Sequence, residues 1–267
     1  MSKEFAGADF AFSLLTQPQM LDSFVRTRNR INSLGNVVVD IASRPIDVYL
    51  FYSEDSSTLQ SSTRDMTLAT YDLCHHLGVK LGFVTERQLL RTPDMLRNAP
   101  IVLVPSVVNV NDSTVDIFRQ LSQAPNRPLL VRTGNASTWD TFFARDWLDH
   151  GRDSSDVAFL SQWPNISIDS ADTPTLHALE QLLQPALPAG RVRCVLPGTT
   201  QAILGVYCVA SPDNTHVMMI NLLVQVAEVE VQLPAAGTLR NAWNRNSLTN
   251  PISLASLETL VLEVVAS

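Results

Sequence analysis

The residues of this chain that could do chemistry gather where apolar runs end. Ser53, Glu54, Asp55, Ser56 and Ser57 follow the run IDVYLFY, and Thr133, Gly134 and Asn135 follow RPLLVRT. If these runs are strands of a parallel sheet, their carboxyl ends are where such sheets hold ligands, which makes Ser53, Glu54, Asp55, Ser56, Thr133 and Asn135 the candidate ligand contacts. The plainer reading of SEDSS is a helix-capping loop, because Ser and Asp accept hydrogen bonds from the free N–H groups of a first helical turn. A phosphate loop for FMN is disfavoured, since the stretch has two carboxylates and no glycine, and an anion there would meet like charge. Thr133 has no adjacent histidine to activate it, and the turn Pro105-Ser106-Val107 lacks flanking glycines, so neither is a nucleophile at a sharp strand-to-helix turn. Glu54 and Asp55 are neighbours in sequence, which does not establish the opposed carboxyl pair of a glycosidase. The strand ends therefore predict no catalytic residue and no cofactor.

Cys74, His75 and His76 form the metal-like cluster of the sequence. On a helix three consecutive positions point about 100° apart and cannot converge on one ion, so the expectation is no metal, with Cys74 in the core and one histidine at the surface. The other two cysteines, Cys194 and Cys208, give an odd total with no short spacing, which encodes neither a disulfide framework nor a zinc site. Buried thiols and a reducing, cytoplasmic setting are expected. Trp139, Phe143 and Trp147 recur at spacings of four, the pattern of one helix face; a core stripe is the plainer reading and a sugar platform the sharper one.

These residues need elements to position them. Four apolar runs, IDVYLFY, VKLGFVT, PIVLVP and RPLLVRT, alternate with helical patterns near 63–77, 86–96, 113–121 and 137–148, and a fifth run, DVAFLS, follows. Continuous apolar strands separated by helices predict a parallel sheet covered on both faces. A helix near 176–183 precedes the Pro/Gly stretch PALPAGR, after which the helical period gives way to alternating runs such as VAEVEVQL, predicting a small antiparallel β-sandwich. Ahead of the sheet, 17–34 carries an apolar stripe at helical spacing with Gly35 as its expected C-cap, and Arg26, Arg28 and Arg30 read as a solvated face. The expected parts are a helical lead-in at 1–44, an α/β domain at 45–188 and a β domain at 189–267. For 267 residues two domains are the natural division, and a net charge of −7 with dispersed Lys and Arg argues against nucleic-acid or membrane-surface partners. No run approaches membrane-spanning length, and the amino-terminal stretch is poor as a signal segment.

The order of VYLFYSEDSS, LATYDLCHHLGVKLGFVTE, APIVLVPSVVNVNDSTVDIFRQL, PLLVRTG and the tail NRNSLTNPISLASLETLVLEVV resembles the carboxyl-terminal portion of family 42-type β-galactosidases and related glycoside hydrolases. The resemblance implies a flavodoxin-like, class I glutamine amidotransferase-like α/β trimerisation domain followed by a small β-sandwich domain. It also implies a catalytic (β/α)8 barrel as a partner, with two glutamates at its strand ends; the segment before Pro45 is too short for a barrel of about 250 residues. The function it implies is a non-catalytic oligomerisation and scaffold region, with the SEDSS groups bordering a sugar pocket. Self-association as a trimer or, second, a dimer is expected, partly through the stripe of Leu14, Met20, Leu21, Phe24 and Val25. The alternative from another class is a free-standing carbohydrate or small-molecule binding protein that uses the strand-end crevice.

Overall fold

The computed structural model describes residues 18–105, 107, 110–134, 144–146, 149–152, 159, 162–168 and 170–266. The chain falls into two compact units, Met1–Ser43 and Arg44–Ser267.

The first unit contains one described element, helix α1 (Pro18–Ser43). It runs straight through Gly35, where the sequence predicted its end. An interior glycine weakens a helix by only about 1 kcal/mol relative to alanine, so Gly35 alone does not terminate it. The stop comes instead where Ser43 Oγ donates to the Asp40 carbonyl at 2.7 Å and Pro45 biases the residue before it away from helical geometry. Leu21 and Val25 of the expected stripe are exposed. Leu14, Met20 and Phe24 lie outside the described side chains.

The second unit opens with a five-stranded parallel sheet of β1 (Val48–Tyr52), β2 (Leu81–Thr85), β3 (Ile101–Pro105), β4 (Leu129–Thr133) and β7 (Asn165–Ile166). Its strand order is β2-β1-β3-β4-β7, so the chain reverses its direction of growth between β1 and β3. The helices between the strands are α2 (Glu54–Leu59), α3 (Ser61–His76), α4 (Glu86–Arg91) and α5 (Asp112–Gln123), and α6 (Thr173–Leu183) follows the last strand. Side chains alternate across each strand, so β3 sends Ile101 and Leu103 to the face packed with Leu73, Leu176, Leu179 and Leu183. Val102 and Val104 go to the other face, with Leu89, Phe118 and Leu121. All five residues of β3 are buried. A central strand covered on both sides needs apolar residues at every position, which is why PIVLVP reads as an unbroken run.

Two local expectations change. The fifth strand of the sheet is Asn165–Ile166, which pairs with Arg132 and Thr133; all of the expected strand DVAFLS except Phe159 lies outside the described residues. The expected helix at 137–148 does not extend through its end, because β5 (Ala144–Asp146) and β6 (Asp149–Arg152) pair there as an antiparallel ladder. The sequence FFARDWLDHGRDSS lacks a helical stop before these residues, so periodicity alone extended the helix too far. Trp139, Phe143 and Trp147 lie outside the described residues.

Beyond Arg191 the structure is antiparallel. One sheet holds β13 (Ser247–Leu248), β12 (Gly237–Asn241), β15 (Thr259–Ala266), β10 (His216–Asn221) and β9 (Val206–Ala210) in that order; the other holds β14 (Ile252–Leu254), β11 (Ala227–Gln232) and β8 (Arg193–Val195). Their inner faces share one core that includes Cys194, Val206, Cys208, Val217, Met219, Val229, Ile252 and Leu262. In β11 the alternation is plain: Val229 and Val231 are buried while Glu228 is exposed. The unit is thus an α/β part with a parallel sheet followed by an all-β part. Among the described residues no helix is long and apolar enough to cross a membrane.

Candidate functional site

The carboxyl edge of the parallel sheet is built from short polar turns, and most of their polar groups bond to the turns themselves. After β1, Ser53 is buried and its Oγ accepts from the Ser56 amide at 3.1 Å, capping α2. Ser56 is also buried, and Tyr52 donates its hydroxyl to Ser57 Oγ at 2.8 Å. Glu54 and Asp55 are the exposed members of the group. Arg87, in the first turn of α4, reaches Glu54 at 3.2 Å, an exposed pair that contributes little to stability. Negative side chains in the first turn of α2 suit the positive end of the helix dipole, so the local sequence explains the loop without any ligand.

Thr133, at the end of β4, is fully buried, and its hydroxyl lies 2.9 Å from that of Thr70. The Thr70 hydroxyl donates to the Met66 carbonyl at 2.8 Å. A hydroxyl has one hydrogen, so Thr133 is the donor in the pair and its proton points toward α3. Next to it, Gly134 has a φ of 119° and donates to the Ile166 carbonyl at 3.1 Å. Only glycine takes that backbone conformation without strain, and the turn uses it to join β4 to β7. Asn135 lies outside the described residues.

One member of this edge was not singled out from sequence. Glu86, the first residue of α4, is buried and accepts from the Thr114 hydroxyl at 3.0 Å and from the Asn111 amide. Burial, reinforced by the charges of Asp55 and Glu54, pushes its carboxyl above the ordinary range, while the two hydrogen bonds pull the other way. Thr85 and Gln88 form a reciprocal capping box at the same turn, with bonds of 2.9 and 3.2 Å. A glutamate at the start of a helix is normally solvated, and nothing in TERQ marks this one as a buried clamp between α4 and α5.

The Cys74-His75-His76 cluster diverges as the helical spacing requires. Cys74 is fully buried in the core and its thiol is pushed up to about 12 by burial, which rules out a reactive thiolate at neutral pH. His75 lies between the rings of Tyr71 and Tyr207, at centroid distances of 4.3 and 4.8 Å. His76 is buried rather than surface-exposed and faces the β domain. Its Nδ1 is 3.3 Å from both the Gly205 amide and the Val206 carbonyl, and its Nε2 is 3.8 Å from Asp72. A hydrogen on Nε2 toward the carboxylate leaves Nδ1 to accept from Gly205. The Tyr207 hydroxyl donates to the other oxygen of Asp72. Burial holds both histidines below their ordinary range. Among the described residues no group of three His, Cys, Asp or Glu is arranged to hold a metal ion. Cys194 and Cys208 are free and buried.

A cleft of about 970 Å³ lies at the opposite, amino end of the sheet, bounded by Pro100, Leu129 and Pro164 at the strand starts and by Arg119, Phe159 and Trp163. The Arg119 guanidinium sits 4.7 Å from the centroid of the Phe159 ring.

No family model matches the chain, and no curated protein does. Solved structures do. An apo exo-carrageenase GH42 from Bacteroides ovatus superposes with a TM-score of 0.67 at 13% identity, over 94% of this chain and 33% of that one. A catalytic mutant of Gan42B, a GH42 β-galactosidase from G. stearothermophilus, gives 0.57 at 13% identity over 90% and 44%. A β-galactosidase from the psychrophilic Marinomonas ef1 gives 0.52 at 10% identity over 88% and 41%. The chain therefore spans less than half the length of these enzymes and has the fold of that part of them.

Proposed function

We propose that the chain is a non-catalytic oligomerisation and scaffold region of a β-galactosidase-like glycoside hydrolase. The observation that carries the reading is the match of 90% of this chain to 44% of a GH42 β-galactosidase. The strand order β2-β1-β3-β4-β7 supports a flavodoxin-like, amidotransferase-like identity for the α/β part. On this reading the domains run 1–44, 45–188 and 189–267. The buried capping roles of Ser53 and Ser56 and the inward hydroxyl of Thr133 favour a structural edge over a catalytic one. Any border to a sugar pocket then falls to Glu54 and Asp55, the exposed pair.

The test is light scattering across a dilution series together with assays on a chromogenic β-galactoside and on glutamine. A trimer, or second a dimer, without turnover is expected. A monodisperse monomer at high concentration would overturn the oligomer role, and turnover of either substrate would overturn the non-catalytic one.

A further inference from the structure

The β part carries apolar side chains on a face that a two-layered sandwich ordinarily leaves to water. In β11 the outer positions are charged, Glu228 and Glu230 alternating with buried valines. β9 and β10 differ. Cys208 of β9 and Val217 and Met219 of β10 go to the shared core, and the positions that alternate with them, Tyr207, Val209, Met218 and Ile220, are half-buried on the outer face. Strands that are apolar at every position are those covered on both faces. The outer face of β9 and β10 therefore calls for a cover as much as the inner one.

Helix α3 supplies part of that cover. His75 stacks on Tyr207, with ring centroids 4.8 Å apart and planes 21° from parallel. Beside the stack the cover is incomplete. A recess of about 230 Å³ is bounded by Val209, Met218 and Ile220 of the sheet and by Val79 and Leu81 at the start of β2, with His75 and Tyr207 also in its wall. Lys80 lines it too, but its ammonium already donates to the Arg44 carbonyl, and no described carboxylate borders the space.

The lining selects the chemistry of an occupant. An ion there would meet no counter-charge, and a water would lack the roughly three polar partners it needs. Apolar cavities of about 150 Å³ stay dry and take up benzene, so this recess has room for one aromatic ring with a small substituent. Aliphatic walls suit such a ring, and the Met218 thioether makes favourable contacts with ring edges. The His75 ring in the wall carries an Nε2 that is buried without a partner. A single hydroxyl on the ligand would give that nitrogen one.

We infer that the recess between α3, β2 and the outer face of β9 and β10 binds a small uncharged aromatic molecule of the phenol class, its ring against Val209, Met218 and Ile220 and its hydroxyl toward His75. The inference goes beyond the proposed glycosidase role and does not depend on it. An occupant would touch elements of both the α/β part and the β part, and so would brace their joint beside the bond from Tyr207 to Asp72.

Methyl NMR of the full chain titrated with phenol tests it. Saturable shifts of the Met218 and Ile220 methyl resonances are expected, with one Kd of about 1 mM or tighter. Val209→Trp fills the recess and should weaken phenol by roughly tenfold or more. If that variant does not fold, Ile220→Ala replaces it: the enlarged recess should bind 2-naphthol on the order of tenfold more tightly than the wild type does. His75→Phe keeps a ring and removes Nε2, so phenol should weaken about fivefold while toluene holds its affinity. Val224→Ala, at a valine that is 89% exposed, is the control and should bind as the wild type. Absence of a saturable shift, or affinities unchanged in the recess variant that folds, would overturn the site. Equal losses of phenol and toluene in His75→Phe would overturn the hydroxyl contact. A phenol-dependent fall in molar mass by light scattering would identify the occupant as a second copy of the chain and overturn the small-molecule assignment.

Discussion

Removing the Tyr207 hydroxyl should loosen the α/β part from the β part by a measurable amount. In Tyr207→Phe the ring stays stacked on His75 and edge-on to His76, while the bond to Asp72 is lost. Hydrogen bonds to charged groups contribute about 1.5–3 kcal/mol, and the low end applies because the Asp72 side chain is 41% exposed. A loss of about 1.5 kcal/mol corresponds to roughly 3–6 °C in Tm for a unit of this size. Urea unfolding of the wild type, Tyr207→Phe, Asp72→Asn and the double variant at pH 8 gives the coupling directly. A coupling below about 0.3 kcal/mol, on the scale where distant sites are additive, would refute the assignment of this bond as a joint. The same joint carries a pH signature. Burial lowers the folded-state pKa of His75 and His76, with Asp72 opposing from one side. The unfolded chain therefore binds protons first as pH falls. Stability is complete above the unfolded value near 6.5 and declines below it, and His76→Gln should flatten that decline.

Glu86→Ala should destabilise by about 2 kcal/mol, because it strands the Asn111 amide and the Thr114 hydroxyl, whereas Glu86→Gln keeps an acceptor and should cost less than half as much in the same urea titration. The raised pKa of Glu86 has its own sign: the folded state holds the proton more tightly, so its contribution to stability falls as pH rises above the unfolded value, and Glu86→Gln should remove that slope. Gly205→Ala should cost at least about 2 kcal/mol, since φ is 87° and an added Cβ would stand 2.4 Å from Leu223. Calorimetry on that variant should show it less stable than Gly198→Ala, where φ is also positive but no atom lies within 4 Å.

The readable parts of the chain are those whose burial is two-sided or strictly alternating. VYLFY, IVLVP and LLVRT announce their strands because each lies in a sheet covered on both faces, and AEVEV because one face alone is covered. The SEDSS cap was legible for the same local reason: its bond spans three residues. Contacts that depend on the assembled fold were not. Thr133 meets Thr70 across 63 positions and His76 meets Val206 across 130, so neither pair leaves a mark at the spacing of a turn or a helix. The two-residue strand Asn165–Ile166 escaped because it is too short to carry a period.

The polar groups at the carboxyl edge of the α/β part are largely satisfied from within the fold. At the carboxyl edge Ser53, Thr85, Glu86, Asn111 and Thr133 all find partners within the fold, two of them by bridging elements far apart in sequence. Such an edge is rigid, and a ligand there would have to break bonds that already hold the helices in place. A parallel sheet ordinarily keeps its ligands at such an edge, and here the described polar groups of that edge are used by the fold itself.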